Sequence, residues 1–181
     1  MQEPRFTASA ASGKLSPPFP ALPQPANPSR KTQVALEYAY WVCDNRLVFW
    51  IHAANTDRFF QSMLSIARQC QIPGHDDPKA NPARLVKAWL ERSGQQPWLV
   101  VIDNADDVDM LFSPPDNLSR WIPSSPQGTV ILTTRSKQVG VRFAKSKRRS
   151  IIEVGKMSDH EAGKLLRDGI DYDLSADDTS A

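Results

Sequence analysis

Apolar residues recur along the chain in two rhythms. Between Lys31 and Val42, the residues Val34, Ala35, Tyr38 and Ala39 share one helical face, and LVFWIHA at 47–53 is a short, bounded apolar run of strand type. Phe60, Met63, Leu64 and Ala67 follow at i, i+3, i+4 and i+7, predicting a second helix that Pro73-Gly74 brings to an end. A third helix is announced by Asn81 as N-cap and Pro82 at its first position, with Leu85, Val86, Trp89 and Leu90 as its buried stripe and Gly94 as its close. WLVVIDN (98–104), GTVILTT (128–134) and SIIEV (150–154) are nearly continuous apolar stretches, as expected of strands covered on both faces of a parallel sheet. Ser158-Asp159-His160-Glu161 then reads as a capping box opening a last helix that buries Ala162, Leu165 and Leu166. Strands separated by helical stretches of this length imply right-handed crossovers and a three-layer α/β domain.

The rhythm does not reach the N-terminus. Residues 1–30 hold 7 of the 15 prolines, which cannot join a sheet interior or a helix, so 1–29 reads as a disordered or polyproline-like leader. The folded domain is expected over 30–168, with an acidic tail at 169–181. Charge changes this picture little. With 22 basic and 20 acidic residues the chain has no overall attraction to nucleic acid or to a membrane surface. Two isolated cysteines, Cys43 and Cys70, make neither a disulfide framework nor a zinc site and fit a reducing, cytoplasmic home. No run approaches the roughly 18 apolar residues of a membrane span, and no export signal is evident.

The candidate chemistry lies at the ends of the strands. In WLVVIDNADD an apolar run leads straight into Asp103, Asn104, Asp106 and Asp107, beyond the carboxyl end of a strand, where open parallel sheets bind ligands. A carboxylate there can hold a hydrated Mg²⁺; it can equally cap a turn. A second strand ends in Thr133-Thr134-Arg135, a hydroxyl pair and a guanidinium suited to phosphoryl charge. Lys31-Thr32, directly before a helix, has the form of the last two residues of G-x-x-x-x-G-K-[ST], in which Lys reaches phosphate oxygens and Thr ligates Mg²⁺. His52 and His75 lack a second ligand at metal spacing. Trp50, Trp89, Trp98 and Trp121 lie in or beside apolar stretches and suit packing.

In this order, KTQVALEYAY, VFWIHA, LVVIDNADD, GTVILTTRS and EVGKMSDHEAGKLL resemble the nucleotide-binding core of the NB-ARC family, signal-transducing P-loop ATPases of the STAND class, and among them the fungal NOD-like proteins with tetratricopeptide repeats. The resemblance covers about residues 29–168. It implies a molecular switch: ADP-bound and closed at rest, ATP-bound and oligomeric when active, reset by slow hydrolysis. By position it implies that Lys31 and Thr32 are the P-loop pair, that Asp103 is the Mg²⁺-linked acid, and that Thr134 and Arg135 approach the phosphates. It makes Thr32 and Asp103 the expected Mg²⁺ ligands, and Asp103, Asp106 and Arg135 the expected catalytic groups.

The chain departs from the family at defined points. Pro25 and Arg30 stand where the two loop glycines belong, and no apolar strand precedes them. Glycine is needed there for positive φ and for close approach to phosphate; proline supplies neither that nor an N–H. The expectation is a P-loop NTPase-like sheet lacking its first strand, with weakened phosphate binding. Asn104 replaces a second carboxylate that would act as base, leaving Asp106 or Asp107 to substitute. The family's helical lid, winged-helix module and repeats are expected to be missing beyond the tail GIDYDLSADDTSA.

Three function classes follow: an ADP/ATP-binding switch domain with weak or absent hydrolysis, a non-nucleotide interaction fragment that pairs with a full-length NB-ARC protein or with itself, and a nucleic-acid binder. An abrupt change of character at 29–31 is also what a mis-assembled gene start would leave. The third class rests on RSKQVGVRFAKSKRR (135–149), with seven Lys or Arg in fifteen residues but, with Phe143 alone, no series of interleaved stacking aromatics, and it ranks last.

Overall fold

The structure is a computed structural model that describes residues 29–92, 96–147 and 150–155. It is an α/β fold: a parallel sheet of three strands flanked by helices. Helix α1 (Arg30–Val42) leads to strand β1 (Leu47–His52), followed by α2 (Thr56–Gln69), α3 (Pro82–Leu90), β2 (Trp98–Asp103), a short α4 (Val108–Phe112), a 3₁₀ turn at Leu118–Trp121, β3 (Gly128–Leu132) and α5 (Lys137–Lys147). The strands lie in the order β1-β2-β3, both pairs parallel, with Val48 opposite Leu99, Val101 opposite Ile131, and His52 opposite Asp103.

Alternation along the strands divides the core into two layers. On one face Val48, Leu99 and Val101 meet Ala35, Ala39 and Val42 of α1, with Trp50 and Ile131 packed against them. The small residues of α1 let the helix approach the sheet closely. On the other face Phe49 meets Trp89 of α3 edge-on, at 6.1 Å between ring centroids. There α2 and α3 bury Phe59, Met63, Ala67, Val86 and Leu90. Every residue of β2 is buried, as the uninterrupted apolar run at 98–102 requires; every residue of β3 is half-buried.

The helix starts follow the capping rules closely. Ser29, Asn55 and Asn81 each accept a backbone N–H of the first turn through the side chain, and Pro82 occupies the first turn of α3, where a missing N–H loses nothing. The buried faces are less faithful to the apolar pattern. Phe59 and Ile66 are buried on α2 in place of Phe60 and Leu64, which are half-buried, and Val34 of α1 is exposed. On α3, Leu85 and Trp89 are likewise half-buried, while Ala83 is buried beside Val86 and Leu90. α3 ends at Leu90, with Glu91 as its C-cap, before the glycine expected to close it.

Two compact units divide the chain, Met1–Val139 and Gly140–Ala181. The sheet lies wholly within the first. Within the second, the described residues comprise most of α5 and the stretch 150–155. SIIEV, expected as a further strand, carries no strand assignment, and Ile151 and Ile152 are exposed. Apolar residues alone do not make a strand: it also needs a neighbour to accept its backbone hydrogen bonds. The Pro-rich leader, the P-loop positions before Ser29, the expected last helix at 158–166 and the acidic tail lie outside the described residues.

Among the described residues no helix is long and apolar enough to cross a membrane. Neither cysteine is in a disulfide. Burial pushes the Cys70 thiol up to about 11, against 9.0 for the free group. Because the thiolate is the nucleophile, Cys70 in the folded chain is expected to alkylate about 100-fold more slowly than in urea near pH 8. Intact-mass time courses with iodoacetamide measure this; equal rates in the two conditions would contradict the burial.

Candidate functional site

Two hydrogen-bonded clusters stand at the carboxyl edge of the sheet. The first gathers on Asp103, the last residue of β2, which is 8% exposed. Its Oδ1 accepts a hydrogen bond from the Thr32 hydroxyl at 2.9 Å and another from the Thr133 hydroxyl at 2.6 Å. Thr32 sits in the first turn of α1 and is itself buried. Ser29, the N-cap, accepts the Thr32 N–H at 3.3 Å and shares a hydroxyl contact of 2.9 Å with the Thr32 side chain. Residues 71 positions apart thus meet on one carboxylate oxygen. Geometry brings them there: Asp103 and Thr133 continue the alternation of Leu99, Val101 and Ile131, so both side chains emerge on the face that α1 covers.

The ends of the strands are tied by backbone as well. Ala53 donates its N–H to the Asp103 carbonyl at 2.8 Å, and Thr133 donates to the Ile102 carbonyl at 2.9 Å. Asn104 then turns the chain with φ at 61°, the left-handed region that Asn tolerates better than most residues, and donates its N–H to the Thr133 hydroxyl at 3.0 Å. This explains why the second position of the acidic run is a carboxamide: the residue serves the turn.

The turn carries Asp106 to the second cluster. Its Oδ1 accepts the Thr134 hydroxyl at 3.1 Å and the Arg135 backbone N–H, while its Oδ2 accepts the Arg135 Nε–H at 2.8 Å. Burial pushes the Asp106 carboxyl up, but the backbone and side chain of Arg135 and the hydroxyl of Thr134 outweigh it and hold the group below the ordinary carboxylate range. A carboxylate so engaged is a poor proton acceptor. Its geometry suits holding Arg135 rather than deprotonating water. Asp107 is the N-cap of α4, accepting the N–H groups of Asp109 and Met110.

Of the residues singled out from sequence, Thr32 and Asp103 come together, and Thr134, Asp106 and Arg135 form the neighbouring cluster. Lys31 precedes Thr32, half-buried and without a carboxylate partner among the described residues. Arg30 and Lys31 both occupy the first turn of α1, where no acidic residue stands. Positive charge there opposes the helix dipole, which favours an anion at an N-terminus. Two residues escaped the sequence reading: Ser29, and the choice of Thr133 over Thr134 as the hydroxyl on Asp103. Strand alternation from Ile131 would have found the second.

The donor set on the first cluster, a carboxylate and hydroxyls, is of the hard oxygen type that suits Mg²⁺ when phosphate oxygens and water complete the shell. Among the described residues no group of three or more His, Cys, Asp or Glu could hold a metal alone. A nearby cavity of about 280 Å³ is lined by Asp107, Asp109 and Asp116 with Asn55, Thr56 and Ser113. Three carboxylates make it unsuited to phosphate.

No family model matches the chain, and no solved structure matches it. Among curated proteins, a nucleotide-binding leucine-rich repeat (NLR)-like protein of Hyaloscypha variabilis is 33% identical over an alignment of 148 residues that covers 75% of this chain. The chain spans 15% of that relative's length. The chain is thus similar, over three quarters of its length, to a small part of an NLR-like protein.

Proposed function

We propose that the domain binds ADP or ATP with Mg²⁺ as a signalling-switch module of NB-ARC type, in the cytoplasm, with weak or absent hydrolysis. One observation carries this reading: the Thr32 hydroxyl, in a helix turn headed by Arg30 and Lys31, is hydrogen-bonded to Asp103 at the end of a parallel strand. In this reading Lys31 and the first turn of α1 hold phosphate oxygens, and Thr32 and Asp103 hold Mg²⁺. The metal would neutralise phosphate charge. Arg135 adds a second cation from the neighbouring strand end. Hydrolysis is weak because neither Asn104 nor the engaged Asp106 is suited to take a proton from water.

The test is a titration of the whole chain with fluorescent ADP and ATP in Mg²⁺, beside Lys31→Ala. Micromolar binding that Lys31→Ala weakens by at least ~10-fold, or about 1.4 kcal/mol, is the expected result. A folded wild type that binds neither nucleotide would reject the reading.

A second reading has its own observation. Val34, Tyr40 and Trp41 of α1 are exposed at 57%, 48% and 76%. Large apolar side chains exposed together on one helix can pack against another chain. The partner in this reading is a full-length NB-ARC protein or a second copy, and sedimentation with and without nucleotide separates it from the first.

A further inference from the structure

Asp106 lies three residues past the carboxylate that Thr32 and Thr133 share, yet all three hydrogen bonds it accepts come from Thr134 and Arg135. Its own side chain is 27% exposed, while that of Arg135 is 74% exposed. An arginine so exposed would ordinarily sample many rotamers and lose that freedom on meeting a ligand. Here Asp106 removes the freedom in advance. The carboxylate takes only the Nε edge of the guanidinium, so among the described residues both Nη amino groups remain without a hydrogen bond. Those two groups form the edge of the guanidinium that can pair with two oxygens of one phosphate. Arg135 also follows Thr133 by two residues, and Thr133 shares its acceptor oxygen with Thr32. The guanidinium therefore starts from the strand end that meets the Lys31-Thr32 turn.

We propose that Asp106 is a positioning residue for Arg135, fixing the guanidinium by its Nε edge so that its Nη edge is preorganised for a phosphate of the bound nucleotide. The proposal rests on the nucleotide-binding reading above. It gives Asp106 a role in affinity and none in proton transfer. The ion pair persists on binding, so no contact has to break before phosphate arrives.

A double-mutant cycle on the full chain tests it, with Mg·ATP as the probe in calorimetric titrations. Asp106→Asn keeps an oxygen acceptor for Thr134 and the Arg135 N–H but loses the charge that holds Nε. Asp106→Asn and Arg135→Ala are each expected to weaken Mg·ATP binding by ~10-fold, and the double variant no further, because one acts through the other. Arg135→Lys should not rescue, since an ammonium has neither Nε–H nor a paired edge. A nitrogen-15 spectrum adds a readout free of ligand, in which the Arg135 Nε–H signal is protected in the wild type and exchanges freely in Asp106→Asn.

Additive losses in the double variant, or an Arg135 Nε–H signal that exchanges as freely in the wild type as in Asp106→Asn, would overturn the proposal. Mg·ATP binding that Lys31→Ala abolishes but Asp106→Asn leaves intact would overturn it alone and leave the nucleotide reading standing. No binding by the wild type would overturn both.

Discussion

Replacing Gly128 with alanine is expected to lower the midpoint of thermal unfolding by about 10 °C, the consequence of a loss near 3 kcal/mol in a chain of this size. Gly128 opens β3 directly opposite Trp98 in the parallel register. A Cβ at this position would overlap the Trp98 ring at Cε2, Cζ2 and Cη2. The indole cannot yield easily. It is fully buried, and its Nε1–H donates to the Leu90 carbonyl at 2.9 Å, tying it to the end of α3. The glycine backbone is ordinary here, so the demand is purely for space at one close approach. Differential scanning calorimetry of the purified variant measures the effect. A shift under ~2 °C would mean that Trp98 does not lie beneath the start of β3.

The second large effect concerns function with the fold retained. Asp103→Asn is expected to reduce Mg·ATP affinity on the order of 100-fold while the thermal midpoint stays within ~3 °C of the wild type. Asparagine preserves the Oδ1 acceptor for the Thr32 and Thr133 hydroxyls, so the local bonding survives. What it loses is the negative charge that a divalent cation requires. No cation pairs with Asp103 among the described residues, so removing the charge exposes no unpaired partner. Asp103→Ala supplies the contrast. It strips both buried hydroxyls of their acceptor and is expected to destabilise by about 1–3 kcal/mol for each hydroxyl left unsatisfied. If Asp103→Asn bound Mg·ATP like the wild type, the carboxylate would be a structural tether between α1 and two strand ends and nothing more.

Much of this architecture can be read without coordinates, and the reason differs from element to element. The β2 strand is legible because WLVVI, before its terminal Asp103, is apolar at every position, as suits a strand covered on both faces. The start of α3 is legible because Asn81 acts on an N–H group three residues away, within the span of a local rule; Ser29 and Asn55 obey the same rule and were not read from it. Burial is less so. Val34 looks as apolar as Ala35, yet the sheet accepts the smaller residue at close range and leaves the larger exposed. SIIEV illustrates the same limit, since strand formation depends on a partner that its own composition does not specify.

By itself the sequence determined the first three helices and the three strands, the identity of the groups at the strand ends, and the resemblance that Lys31-Thr32, Asp103 and Thr133-Thr134-Arg135 carry in that order. These are properties of adjacent residues. Only the tertiary structure decided which hydroxyl meets which carboxylate: that Thr32 and Thr133 share Asp103, and that Asp106 spends its oxygens on Thr134 and Arg135. Strand pairing aligns residues 30 and more positions apart in sequence, while pleating sends neighbours to opposite faces. The partners of a side chain are therefore set by register and face, which no local pattern contains.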